Sequence, residues 1–100
     1  MATPETLKDL RERIDHVDAS LIELLAERFS LTEKVGLIKA EGGLSAEDAE
    51  RERWQQARYA ALATANHLSV DVALQVMGTI VDLVKNRHVA IAAPKGARRW

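Results

Sequence analysis

The chain has no cysteine, which excludes a disulfide framework and any thiolate metal site. Two prolines and five glycines in 100 residues leave long stretches without a breaker, which suits helices better than short, turn-rich strands. His16, His67 and His88 are scattered and lack metal-ligand spacing, so no metal site is expected. No apolar run approaches the ~20 residues that span a bilayer, so no membrane span is expected. The polar start (Thr3, Pro4, Glu5, Lys8, Asp9) has no signal-peptide character. An excess of one charge is missing too: 14 basic residues face 15 acidic ones, so the chain has no general affinity for polyanions such as nucleic acid. The expectation is a soluble, cytoplasmic protein with a single domain over residues 1–100. A lone chain of that size has difficulty burying a large core.

What the chain does have is a heptad seam. Leu7, Leu10, Ile14, Val17, Leu21, Leu24, Leu31, Val35 and Ile38 step alternately three and four residues, with position 28 falling on the same seam. This predicts one helix from about residue 4 to 40, with Thr3 as N-cap, Pro4 in the first turn and Gly42-Gly43 as its end. Position 28 is Arg. A guanidinium keeps its proton, so in an apolar seam it needs water or an anionic partner. Either it forms an internal ion pair or snorkels, or the seam opens there into a pocket for an anion.

A second helix is expected over residues 46–65, capped by Ser45, with Glu47 and Asp48 at the positive end of its dipole. Its contact residues are mostly alanine, and Trp54 and Tyr59 read as packing residues. A third, over 70–92, is capped by Ser69 and carries Val70, Leu74, Met77, Val81, Val84 and Ile91 at four-three spacing, with His88 as its polar interruption. Pro94 and Gly96 end it, leaving 94–100 as a flexible tail. With no strand pattern or repeat, the expected class is all-α with three helices.

A helix of roughly 33 residues is about 50 Å long, whereas the other two reach only about 30 to 35 Å. Folded back, they leave Leu7, Leu10 and Ile14 uncovered, and an intertwined antiparallel homodimer is the simplest solution. The turn at 41–45 sets Asp48, Arg51 and Glu52 near Lys39 and Arg28, and the returning third helix brings residues 84–88 to the same end. Arg11 lies about 25 Å from Arg28 along the helix, too far to share a small ligand. Arg11 of a partner chain would lie opposite Arg28.

Four segments carry a resemblance: LRERID at 10–15, LLAER at 24–28, VGLIK at 35–39 and the Asp48-x-x-Arg51-Glu52 pattern. Together, in this order, they resemble the all-helical (AroQ-class) chorismate mutases over about Leu7 to His88. The resemblance implies an intertwined helical dimer that rearranges chorismate to prephenate in the route to Phe and Tyr, with no cofactor. It implies that Arg28 and Arg11 of the partner chain hold the two substrate carboxylates, and that Lys39 binds the ether oxygen and one carboxylate. Asp48 and Glu52 would meet the ring hydroxyl, and Arg51 would support that wall. The third helix departs from the family, which commonly has a hydroxyl residue for the ring carboxylate and, one turn later, Gln or Glu for the ether oxygen. Those positions here are Val84, which cannot hydrogen-bond, and His88, which donates from one nitrogen even when neutral. Lys85 and Arg87 flank His88.

Two other readings stay open. One is isochorismate-pyruvate lyase activity on the same scaffold, a lineage that tends to lack the Asp48 and Glu52 pair. The other is a non-catalytic helical dimer that binds a carboxylate metabolite or a partner protein.

Overall fold

The computed structural model describes residues 5–94. Among them there are three helices and no strand: α1 (Leu7–Glu41), α2 (Ala49–Ala65) and α3 (Val70–Ala92). The chain divides into two compact units, Met1–Leu31 and Thr32–Trp100.

In the first unit, α1 starts at Leu7, because Thr6 and Asp9 form a capping box. The Thr6 hydroxyl accepts from the Asp9 amide at 3.1 Å, and the Thr6 amide donates to the Asp9 carboxylate at 3.1 Å. These hydrogen bonds, the backbone one first, hold the Asp9 carboxyl below its ordinary pKa. The start therefore falls later than the expected residue 4, and the Thr3 and Pro4 assigned to it lie outside the described residues. Leu7, Leu10, Ile14, Val17, Leu21 and Leu24 are all exposed.

In the second unit, the last turns of α1 do not turn their seam inward. Val35 and Ile38 are 44% and 65% exposed. Thr32, Glu33, Gly36, Lys39 and Ala40 form the less accessible face. Gly36 is buried against α3, where a Cβ would lie 2.6 Å from His88 Cδ2 and 2.9 Å from Ile91 Cδ1. Glycine is therefore a packing requirement here, and it outweighs its lower helix propensity. Another tie between α1 and α3 is a two-pronged ion pair. Arg87 donates from Nε and Nη2 to the Glu33 carboxylate, at 2.9 Å and 2.6 Å for the shorter contacts.

Both helix–helix turns follow Schellman geometry. After α1, Leu44 N donates to Lys39 O at 2.7 Å and Gly43 takes the left-handed position at φ 64°. After α2, Leu68 N donates to Ala63 O at 2.9 Å, and the left-handed position falls to His67 at φ 56°. Between the first turn and α2, the Ser45 hydroxyl accepts from the Glu47 amide at 3.1 Å in a local turn. The α2 cap is instead Asp48, which accepts from Arg51 N at 3.0 Å, so the helix opens at Ala49 rather than 46. Ser69 caps α3, accepting from Val72 N.

The α2–α3 interface is built on small residues. The buried apolar residues among those described are Ala63, Ala73 and Ile91, and no large side chain among them is fully buried. Val72, Val76 and Leu83 form a further exposed apolar stripe on α3. That is a thin core for a chain in which 47% of residues are hydrophobic.

Candidate active site

The expected site residues fall on both units. Arg11 and Arg28 belong to the first, where Arg11 is exposed and Arg28 half-buried, with its Nη1 shielded from solvent. Lys39, Asp48, Arg51, Glu52, Val84 and His88 belong to the second.

Within the second unit, three helices converge around the start of α2. Lys39, from the last turn of α1, is half-buried and donates to Ala46 O at 3.5 Å, at the long limit of a hydrogen bond. Asp48 is exposed and accepts the Arg51 amide at the helix N-terminus through Oδ1. From α3, Lys85 reaches the same corner, with its ammonium 2.9 Å from Glu52 and 4.0 Å from Glu47. The hydrogen bond it donates to Glu52 is the main cause of a Lys85 pKa held above the ordinary lysine value, so the ammonium is charged throughout the neutral range. Glu52 and Lys85 are both half-buried.

Four details depart from what the sequence suggests residue by residue. Arg51 lays its guanidinium over the Trp54 ring, 4.6 Å from the centroid, with Arg58 also over that ring at 5.5 Å. Trp54 is half-exposed in that stack rather than buried as a packing residue. His88 is 4% exposed, and its Nε2 lies 2.8 Å from the Thr32 carbonyl. A carbonyl only accepts, so Nε2 carries the proton and the neutral ring has no second N–H. Lys85, which reading along the α3 seam passes over, is the cation that faces the start of α2. Its partner Glu52 is on another helix, and no local spacing announces the pair.

Beside this corner, α2 and α3 enclose a cavity of about 290 Å³ lined by Glu52, Gln55, Tyr59, Val81, Asp82 and Lys85 among others. Val84 is half-buried on α3 between Val81 and His88. Among the described residues, no group of His, Asp and Glu side chains is arranged to hold a metal ion. No helix there is long and apolar enough to cross a membrane. The arrangement offers fixed ammonium groups and carboxylates flanked by apolar wall. It is suited to binding a small anion carrying hydroxyl groups and to stabilising charge that develops on it.

Comparison with known proteins agrees with that chemistry. The chain is 28% identical to a chorismate mutase of Methanocaldococcus jannaschii over 78 residues, which is 78% of this chain and 79% of the relative. It is 46% identical over 52 residues to the T-protein of Haemophilus influenzae, and 43% identical over 49 residues to a bifunctional chorismate mutase/prephenate dehydratase of Aquifex aeolicus. In both of those the match covers only 14% of the relative's length. The profile of the family described as chorismate mutase type II matches residues 10–89, and the chain belongs to that family.

Proposed function

We propose that this member of the chorismate mutase family rearranges chorismate to prephenate in aromatic amino acid biosynthesis, in pockets shared between two copies of the chain. The reaction is an intramolecular Claisen rearrangement: the ether C–O bond breaks as a C–C bond forms. It is unimolecular and requires no nucleophile, proton transfer or metal. Two things accelerate it. Holding the enolpyruvyl ether compact brings the reacting carbons together. A fixed cation at the ether oxygen meets the negative charge that builds there as C–O breaks.

Lys39 is that cation. Arg28 and Arg11 of the partner subunit bind the two carboxylates, for which planar guanidinium groups offer paired donors. Glu52 and the free oxygen of Asp48 receive the ring hydroxyl, Arg51 supports that wall through the α2 cap, and Val84 forms an apolar wall. His88 lines the site one turn beyond Val84, its ring fixed by the Nε2–H bond to the Thr32 carbonyl. The observations that support the reading are Lys39 at the Ala46 carbonyl and Asp48 at the α2 cap, both within the family-matching stretch.

The dimer is supported by exposed apolar surface. Leu7, Val17 and Leu24 on the first unit, Val35 and Ile38 on the second, and the α3 stripe all face solvent in the single chain. Apolar area of this extent marks an interface. The biosynthetic role supports a cytoplasmic location.

Incubating the purified protein with chorismate and with isochorismate, and following the loss of each, tests the activity. Loss of chorismate with prephenate as product is expected. Release of pyruvate from isochorismate instead would assign the lyase activity, and loss of neither would leave a binding protein.

A further inference from the structure

The proposed mutase reading draws its lysines and arginines from α1 and α2, yet α3 contributes two of its own. Arg87 is held by the Glu33 carboxylate and is itself 57% exposed. Lys85 differs in position. It is half-buried, lines the α2–α3 cavity, and meets the α2 start that Lys39 also reaches.

The charges of that cavity make Lys85 necessary for an anionic ligand. Among the described residues its lining contains two carboxylates, Glu52 and Asp82, and one cation, Lys85. A dianion entering against two carboxylates is repelled unless an ammonium stands between them. An ammonium has three donors. Glu52 at 2.9 Å engages one, and Glu47 at 4.0 Å is beyond hydrogen-bond reach, so two remain for a ligand. The neighbouring Val84 has no polar atom with which to contact it.

We propose that Lys85 is a substrate-binding residue, its ammonium bridging Glu52 and a carboxylate of the substrate; this rests on the mutase reading for the identity of that substrate. Glu52 thereby fixes the ammonium while keeping its second oxygen for a hydroxyl. The bridge is made equally in the bound substrate and in the transition state, so its loss appears in KM more than in kcat.

The test compares wild type, Lys85→Met, Lys85→Arg and the double variant Glu52→Gln/Lys85→Met. The readouts are KM and kcat with chorismate, the Kd of prephenate, and the thermal midpoint. A hydrogen-bonded charge contact is worth about a 10- to 100-fold effect. Lys85→Met is expected to raise KM and Kd by that factor with a smaller change in kcat, and Lys85→Arg to recover most of the loss. The double variant is expected to bind as weakly as Lys85→Met. If Lys85→Met lowers only the thermal midpoint, Lys85 is a tie between helices and the proposal is wrong. If the double variant binds like wild type, Lys85 merely screens Glu52 and the proposal is again wrong. Should Lys85→Met lose its helicity, Lys85→Gln carries the same comparison. A wild type that binds prephenate without consuming chorismate contradicts the mutase reading alone, and the Kd values still decide Lys85. A wild type that does neither overturns both.

Discussion

His88 is the residue whose chemistry depends most on its setting. Its Nε2–H is committed to the Thr32 carbonyl at 2.8 Å, so the neutral ring brings no donor to a ligand. His88→Gln, whose amide brings a donor that the neutral ring lacks, should raise kcat, whereas His88→Leu should leave kcat near wild type and lower the thermal midpoint through loss of the Thr32 hydrogen bond. A folded His88→Leu protein that loses most of its kcat would contradict this, because the ring itself would then act on the substrate. Arg28 was legible in the sequence because it interrupts a regular apolar seam. The direction of the His88 ring was not, since it depends on a carbonyl 56 positions away. Lys85 was read in the sequence only as a neighbour of His88, since its partner Glu52 is on another helix.

At the level of the helices, the number and class of elements followed from the heptad spacing and the scarcity of breakers. Their starts were harder to read, because several capping residues compete. Thr3 and Thr6 both suit an N-cap, but only Thr6 has an acidic residue three positions on to complete the box. Ser45 and Asp48 compete similarly, and Ser45 is diverted to the Glu47 amide. The two turns invite a direct comparison, because Gly43 and His67 hold equivalent left-handed positions. A side chain there costs about 1 kcal/mol or more relative to glycine. His67→Gly should raise the thermal midpoint without changing the assay, and a lower midpoint would contradict that account. The Glu33–Arg87 pair makes a prediction about pH. The Arg87 hydrogen bond, the larger cause, holds Glu33 below its ordinary value. A depressed carboxyl contributes stability that is present above its unfolded pKa and lost as pH falls through the folded one. Glu33→Gln should therefore be less stable than wild type near neutrality, with the difference closing on the acid side. A difference that is constant from neutral to acid pH would show that the ion pair does not contribute.

For the whole molecule, the heptad pattern identified the apolar stripe of α1 but not what covers it. The expectation was that α2 and α3 cover its C-terminal part and leave only Leu7, Leu10 and Ile14 free. In the second unit α1 turns Thr32 and Gly36 toward α3 instead, and Val35 and Ile38 stay exposed. The reason is steric, since His88 and Ile91 approach α1 where only glycine fits. The seam residues exposed on each unit are available to a second copy, and the thin core of the single chain supports the proposed dimer.

The shared site is the central claim, and subunit mixing tests it most directly. Arg11→Ala and Lys39→Ala proteins, each inactive alone, are mixed in equal amounts and allowed to exchange. In the mixed dimer one pocket carries both defects, while the other has an intact Lys39 and an intact Arg11 from its neighbour. With free exchange, about a quarter of wild-type activity should return, because half of the dimers are mixed and half of their pockets are whole. No recovery, in a sample where mixed dimers are shown to form, would contradict the account.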